Sequence, residues 1–133
     1  DIEKAYEKVN LARPYIIQAT PLSEAGKVYP ITPDRFDRYV NATRCINCFC
    51  CTAACMSGPK RFMGPNVLLA SIVRMMDPRE QEKKERLEIL YSDNGVYRCH
   101  SSQACSFVCP KEIDVAHFIA LAKEGKFKTN QEE

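Results

Sequence analysis

All eight cysteines of this 133-residue chain lie in two short groups. Arg44 to Gly58 reads RCINCFCCTAACMSG and holds five; Arg98 to Pro110 reads RCHSSQACSFVCP and holds three. The first group contains Cys45, Cys48, Cys51 and Cys55, a C-x2-C-x2-C-x3-C run. The second contains Cys99, Ser102, Cys105 and Cys109 in the same register, followed by Pro110. A secreted disulfide framework would spread its cysteines through a short, loop-rich chain. Thiols clustered at spacings of two and three point instead to metal in a reducing compartment. Tetrahedral zinc takes paired C-x2-C knuckles. A C-x2-C-x2-C run wraps three thiolates round one iron–sulfur cube.

The two groups form an internal repeat of the two-cluster ferredoxin motif, in which the fourth cysteine of each run ligates the other cluster. By that rule Cys45, Cys48, Cys51 and Cys109 hold a 4Fe-4S cluster. Cys55, Cys99 and Cys105 supply only three thiolates, because position 102 is serine, and three thiolates hold a 3Fe-4S cluster with one iron corner missing. The alternative is a fourth iron held by the Ser102 oxygen, although thiolate suits iron–sulfur chemistry better. Cys50 stands at an offset the motif does not use. It reads as a small buried apolar residue, against a substitute ligand or a redox-sensitive thiol. Cross-ligation makes the clusters staples between residues ~50 positions apart, so loss of a ligand costs fold as well as redox signal.

Helices must deliver these loops. Asp1 to Arg13 keeps near-helical apolar spacing at Ile2, Ala5, Tyr6, Val9 and Leu11 or Ala12, and Pro14 ends or kinks it. PYIIQATPLSEAGKVYPI reads as irregular chain. Thr32 caps a helix with Pro33 at its first position, running PDRFDRYVNAT to Cys45. GPKRFMGP is a loop, and Pro65 opens an apolar helix over Asn66 to Met76. Asp77-Pro78 breaks it and starts a charged helix, PREQEKKERLEIL, with Leu87 and Leu90 on its buried side. Asn94-Gly95 is a turn, and VYRC is extended or the start of a loop. Asp114 caps a last helix, VAHFIALAKEG, ended by Gly125. No strand is evident. The expected fold is all-α: an α-helical ferredoxin-like domain over residues 1–133 with two cysteine-rich loops.

Composition narrows the function. Apolar residues make up 45% and charged residues 27%, a soluble globular balance. The net charge of +2 gives no footprint for nucleic acid. The longest apolar run, VLLASIVRMM, is interrupted by Arg74 and falls short of the ~20 residues of a membrane span. No secretory leader pattern opens the chain, which begins with Asp1 and reads as a fragment, a domain or a processed chain. The KK and KEGKFK runs read as solvated faces.

The stretches CINCFCCTAAC, then FMGPNVLLA to DPRE, then NGVYRCHSSQACSFVCPKEID resemble the iron–sulfur subunit of succinate dehydrogenase and fumarate reductase. The likeness covers nearly the whole chain, and its opening DIEKAYEKVNLARPYII resembles the segment after the family's 2Fe-2S domain. The resemblance implies a helical domain carrying 4Fe-4S and 3Fe-4S clusters, with the ligand split given above and a non-ligand cysteine often standing where Cys50 is. It implies an electron relay between a flavoprotein subunit bearing FAD, a 2Fe-2S domain, and a quinone held by a membrane-anchor subunit. Such a chain sits peripherally on the cytoplasmic or matrix face of an energy-conserving membrane and does no substrate chemistry itself. The 2Fe-2S motif is absent, so the chain resembles the C-terminal half, as a cut domain or a naturally split subunit. Met56 stands where the family usually has proline, and the loop from Cys55 to Gly64 is shorter and lacks a tryptophan. Met56, Lys60, Arg61 and His100 are the candidate quinone contacts.

Other residues carry less. His117 reads as packed or surface, and Arg44 and Arg98 either raise cluster potential or are simply solvated. Phe36, Tyr39, Val67, Leu68, Ile72 and Phe118 read as core. No catalytic set or phosphate loop stands out. Two rival readings remain: a subunit of a heterodisulfide- or glycerol-3-phosphate-oxidising complex, whose relatives tend to carry two full four-cysteine motifs, and a structural zinc-binding interaction module.

Overall fold

The computed structural model describes residues 1–18, 29–58 and 60–128. Most of the irregular stretch expected over 14–31 lies outside them. Among the described residues there are eight α-helices, one 3-10 turn and no strand. In chain order they are α1 (Ile2–Leu11), α2 (Pro33–Asp37), α3 (Val40–Thr43), α4 (Cys50–Ala53), α5 (Pro65–Met76), α6 (Lys83–Leu90), the 3-10 turn Val96–Arg98, α7 (Ala104–Phe107) and α8 (Val115–Lys123).

α5 is the hub. Its sequence is apolar nearly all round, and nine of its residues, from Pro65 to Met75, are buried. A helix of that pattern belongs inside the protein. It packs against α8, α6, α1, α4 and α3. Leu68, Leu69 and Ile72 join Leu90 of α6, Val96, and Val115, Phe118 and Ile119 of α8 in one core. The short α4 and α7 touch each other, and each rests on a longer helix, α4 on α5 and α7 on α8. These are the pieces of chain that carry the two cysteine groups.

Several elements differ from expectation for identifiable reasons. The helix from Pro33 breaks at Tyr39, whose φ of −132° leaves the helical region and whose side chain is buried in the core. Phe36 is 44% exposed and packs only edge-on against Tyr39, so it is not a core residue. The charged helix starts at Lys83, not after Pro78. Asp77 Oδ1 accepts from the Arg79 backbone N–H at 2.9 Å, and Glu80 Oε1 accepts from the Glu82 N–H at 3.1 Å. Short-range side-chain acceptors of this kind compete with helix formation. α8 follows expectation: Asp114 Oδ1 caps the His117 N–H at 3.1 Å, and Gly125 takes a φ of +74°.

The segment after α1 is held by buried charge. Arg86, on α6, is fully buried and pairs with the fully buried Glu80 at 2.7 Å. Its guanidinium also donates to the carbonyls of Ala12 at 2.9 Å, Arg13 at 2.8 Å and Tyr15. Glu80 Oε2 accepts the Ile17 N–H at 3.3 Å, and Arg74 donates to the Pro14 carbonyl at 2.8 Å. This knot docks α1, which brings Tyr6 edge-on to Phe49 in the first cysteine group, centroids 5.3 Å apart.

Asp77 gives the fold an acid-side pH dependence. Burial pushes its carboxyl up, but the side-chain and backbone hydrogen bonds from Arg79 outweigh that and hold it below its ordinary value. A depressed folded-state pKa stabilises above the ordinary carboxylate range, and that contribution is lost as pH falls through the folded value. Asp77→Asn should lower stability near pH 7 and flatten its fall below about pH 4, so that the two proteins converge at acid pH in denaturant titrations.

Candidate iron–sulfur cluster sites

The repeat seen in the cysteine spacing is also a repeat of backbone conformation. Positive φ occurs at Asn47 and Phe49 in the first group, at 52° and 62°, and at Ser101 and Gln103 in the second, at 57° and 61°. Gly58 and Glu112 form a third such pair, at 73° and 55°. Left-handed residues are uncommon outside glycine, and here they recur at equivalent positions of the two groups. Phe49 and Gln103 are the N-terminal flanking residues of α4 and α7, so both loops turn into a single helical turn in the same way. Ser102 therefore stands at the backbone position of Cys48.

The thiols converge on two cavities. The first is narrow, about 20 Å³, and is lined by Cys45, Cys48, Cys51 and Cys109, together with Asn66, Leu69 and Ile113. The second is wider, about 310 Å³, and is lined by Cys55, Cys99 and Cys105 with Ser102, His100 and His117. Each cavity draws its last cysteine from the other sequence group. Among the described residues no three His, Cys, Asp or Glu groups close round a point fit for a single metal ion. The thiols ring spaces instead, and a four-thiol and a three-thiol ring are donor sets that fit iron–sulfur clusters. α5 begins between them: Pro65 lines the second cavity and Asn66 the first.

Burial raises three of these thiols. It pushes Cys51 up to about 11 and also lifts Cys45 and Cys105. In the metal-free chain they are protonated at neutral pH, so metal loading releases protons. The backbone already presents donors to sulfur, with the Ser101 N–H 3.4 Å from Cys99 Sγ. His100 donates its N–H to Ser57 Oγ at 3.2 Å, tying the two loops together.

Several sequence readings need correction. Cys50 is exposed, not buried, and lines neither cavity. Its neighbour Cys48 pushes its pKa up through a side-chain hydrogen bond. Arg44 and Arg98 are exposed and line neither cavity, which agrees with the solvated one of their two readings. Besides Lys111, which follows the second cysteine group and lines the first cavity, Arg74, beside Cys45, and Lys123 reach the cysteine loops. Lys123 Nζ donates to the Cys99 carbonyl at 2.5 Å and to Ser101 Oγ at 2.6 Å, so the KEGKFK run is not merely a solvated face. Nothing in the local sequence marks either residue; only the packing of α5 and α8 brings them in. His117 lines the second cavity although its ring also meets Phe118. Of the four candidate quinone contacts, only His100 lines that cavity, while Met56, Lys60 and Arg61 are exposed outside it.

The family model for the 4Fe-4S dicluster domain matches residues 41–113, more than half of the chain and both cysteine groups. The chain belongs to the 4Fe-4S dicluster domain family. Within it, this dicluster domain is similar to an Escherichia coli fumarate reductase iron–sulfur subunit, 33% identical over 135 residues, which cover 99% of this chain and 53% of the relative. It is 30% identical over 122 residues to a Coxiella burnetii succinate dehydrogenase iron–sulfur subunit, covering 90% of this chain and 51% of that one. Against the mitochondrial succinate dehydrogenase (ubiquinone) iron–sulfur subunit 1 of Oryza sativa subsp. japonica the identity is 29% over 127 residues, 93% of this chain and 45% of the relative. The dicluster domain thus spans about half the length of the curated relatives it matches. Among its described residues no helix is long and apolar enough to cross a membrane.

Proposed function

We propose that this chain is the electron-relay domain of a succinate dehydrogenase or fumarate reductase type complex. The first cavity holds a 4Fe-4S cluster on Cys45, Cys48, Cys51 and Cys109. The second holds a 3Fe-4S cluster on Cys55, Cys99 and Cys105. When bound, each cluster takes up and releases one electron at a time, which links two-electron flavin chemistry to a quinone. The chain's own residues ligate, bury and hydrogen-bond the sulfur atoms, and these features set the potentials. Substrate chemistry belongs to a flavoprotein subunit bearing FAD, reached through a 2Fe-2S domain. The quinone side is a membrane-anchor subunit, placing the chain peripherally on the cytoplasmic or matrix face. His100, at the rim of the second cavity, is the quinone-proximal residue; Met56, Lys60 and Arg61 are exposed on the loop whose Ser57 accepts the His100 backbone N–H, and face the anchor.

The observation that carries this reading is the grouping of seven cysteines into rings of four and three, with serine at the eighth position. The likeness to succinate dehydrogenase and fumarate reductase subunits supports the choice of complex. The test is metal and sulfide analysis with low-temperature EPR on the anaerobically purified chain. Iron with acid-labile sulfide and the signal of an oxidised three-iron cluster are expected. Cys109→Ser should remove the four-iron cluster and Cys55→Ser the three-iron cluster, each against its own sequence group. Zinc without sulfide would overturn the relay, and selective loss of the four-iron cluster in a folded Cys55→Ser chain that keeps its three-iron signal would overturn the ligand split.

A further inference from the structure

Asn66 is the second residue of α5, 2% exposed, and lines the first cavity. Its Oδ1 accepts a 2.6 Å hydrogen bond from Thr52 Oγ1 on α4. Its Nδ2 is buried and has no hydrogen-bond partner among the described residues. A buried amide donor left unsatisfied is costly, and native proteins carry few. The other unpartnered buried side-chain atom, Ser71 Oγ, belongs to a residue that lines neither cavity. Thr52 is absent from the lining of the first cavity, so its hydroxyl engages one end of the amide and leaves the other to the four-cysteine ring. Gly64 keeps this arrangement close. A Cβ there would stand 3.1 Å from Thr52 Oγ1 and 3.2 Å from Asn66 Oδ1.

We infer that Asn66 Nδ2 donates a hydrogen bond to a sulfur atom of the cluster held by Cys45, Cys48, Cys51 and Cys109, with Thr52 fixing which end of the amide faces it. The inference rests on the cluster reading proposed above. Sulfide and thiolate are acceptors and carry no donor, so only the N–H end of an amide is satisfied against them. Donors to sulfur favour the more negative, reduced state and so raise the reduction potential. Asn66 is a positioning and tuning residue, not a ligand. The second cavity has no counterpart. The repeat places Ser106 where Thr52 stands in the first group, and Ser106 Oγ donates to Asp114 Oδ1 at 2.7 Å and accepts from the Ala116 N–H at 2.8 Å. Its bonds belong to the start of α8, whose second residue, in the place that Asn66 holds on α5, is Ala116 and carries no amide side chain. The tuning therefore acts on one cluster and not the other.

The experiment is an EPR-monitored redox titration of the cluster-loaded chain, resolving each cluster, for the unmodified protein, Asn66→Leu and Thr52→Val. Proton ENDOR of the reduced four-iron cluster in H2O and D2O is the second readout. Asn66→Leu should lower the potential of the four-iron cluster, leave that of the three-iron cluster unchanged, and remove one exchangeable proton coupling. Thr52→Val, which keeps the amide but frees it to turn, should give a smaller shift in the same direction. A merely structural amide would move neither the potential nor the coupling. Unchanged potential and coupling in the variants, with the unmodified chain fully loaded, would overturn the donor assignment alone. A purified chain lacking iron and sulfide in the first cavity would overturn the relay reading and this inference together. If Asn66→Leu does not load, Thr52→Val decides, and no shift in it sinks the assignment.

Discussion

Ser102→Cys is expected to add about one iron atom per chain and to abolish the EPR signal of the oxidised three-iron cluster, replacing it with a second four-iron cluster. The expectation comes from backbone geometry as much as from composition. Cys48 lies between Asn47 and Phe49, both at positive φ, and Ser102 lies between Ser101 and Gln103 at nearly the same angles. Both residues line their respective cavities. A thiol introduced at 102 therefore projects from the same backbone conformation as the Cys48 thiol. The second cavity is also the roomier of the two, so overpacking does not oppose the change. Ser102 is exposed, and its hydroxyl makes no hydrogen bond among the described residues that the substitution would break. Because the midpoint potential depends on cluster type and charge, the converted site should also shift in potential, read by the same redox titration. An unchanged three-iron signal in a folded, fully loaded Ser102→Cys chain would mean that position 102 does not face the missing corner.

Arg86→Met should be the most damaging single change outside the cysteines. The guanidinium is fully buried, and its hydrogen bonds go to Glu80 and three backbone carbonyls. Removing one member of a buried pair strands the other charge and costs about 3–5 kcal/mol. That is a large share of the roughly 5–15 kcal/mol that holds an ordinary domain together. Four acceptors lose their donor at once, so the segment from Ala12 to Tyr15 should come loose and take α1 with it. The Tyr6–Phe49 contact then opens, and the first cysteine loop loses its cover. The check is denaturant unfolding of the loaded chain, together with limited proteolysis of residues 1–18, which should become susceptible. Glu80→Gln combined with Arg86→Met should recover part of the loss, since it removes the stranded charge, but not the carbonyl bonds. Arg13→Met, which breaks the half-exposed 2.7 Å pair with Glu85, should cost about 1 kcal/mol or less. Equal losses from the two changes would mean that the buried knot carries no special weight.

These two cases mark where the sequence was legible. The gathering of seven thiols round two cavities was readable because C-x2-C-x2-C is a local spacing and the repeat supplies the exchange of Cys55 and Cys109. Helices α1, α5 and α8 were readable because proline, capping Asp114 and apolar periodicity act within a few residues. Arg86 was not, because a charged residue in KKERLEIL looks solvated until the carbonyls after α1 are known to lie against it. Asn66 and Lys123 were hidden for the same reason: each meets its partner only once the helices have packed. The late start of α6 was hidden by competition, with Asp77 and Glu80 capturing backbone N–H groups that a propensity reading assigns to the helix. Phe36 failed in the opposite sense. Its apolar side chain suggested the core, but α2 is one short turn on the surface with no buried residue.

The exchange of Cys55 and Cys109 between the two rings has a temporal consequence. During synthesis the first group emerges complete with Cys45, Cys48 and Cys51, yet its cavity lacks a wall until Cys109 follows. The second ring likewise uses Cys55, made long before Cys99 and Cys105. The second ring is complete only once residue 105 has been made, and the first only at residue 109. On the cluster reading proposed above, neither cavity can be loaded before both cysteine groups have been synthesised, and a chain truncated between the two groups should take up neither cluster.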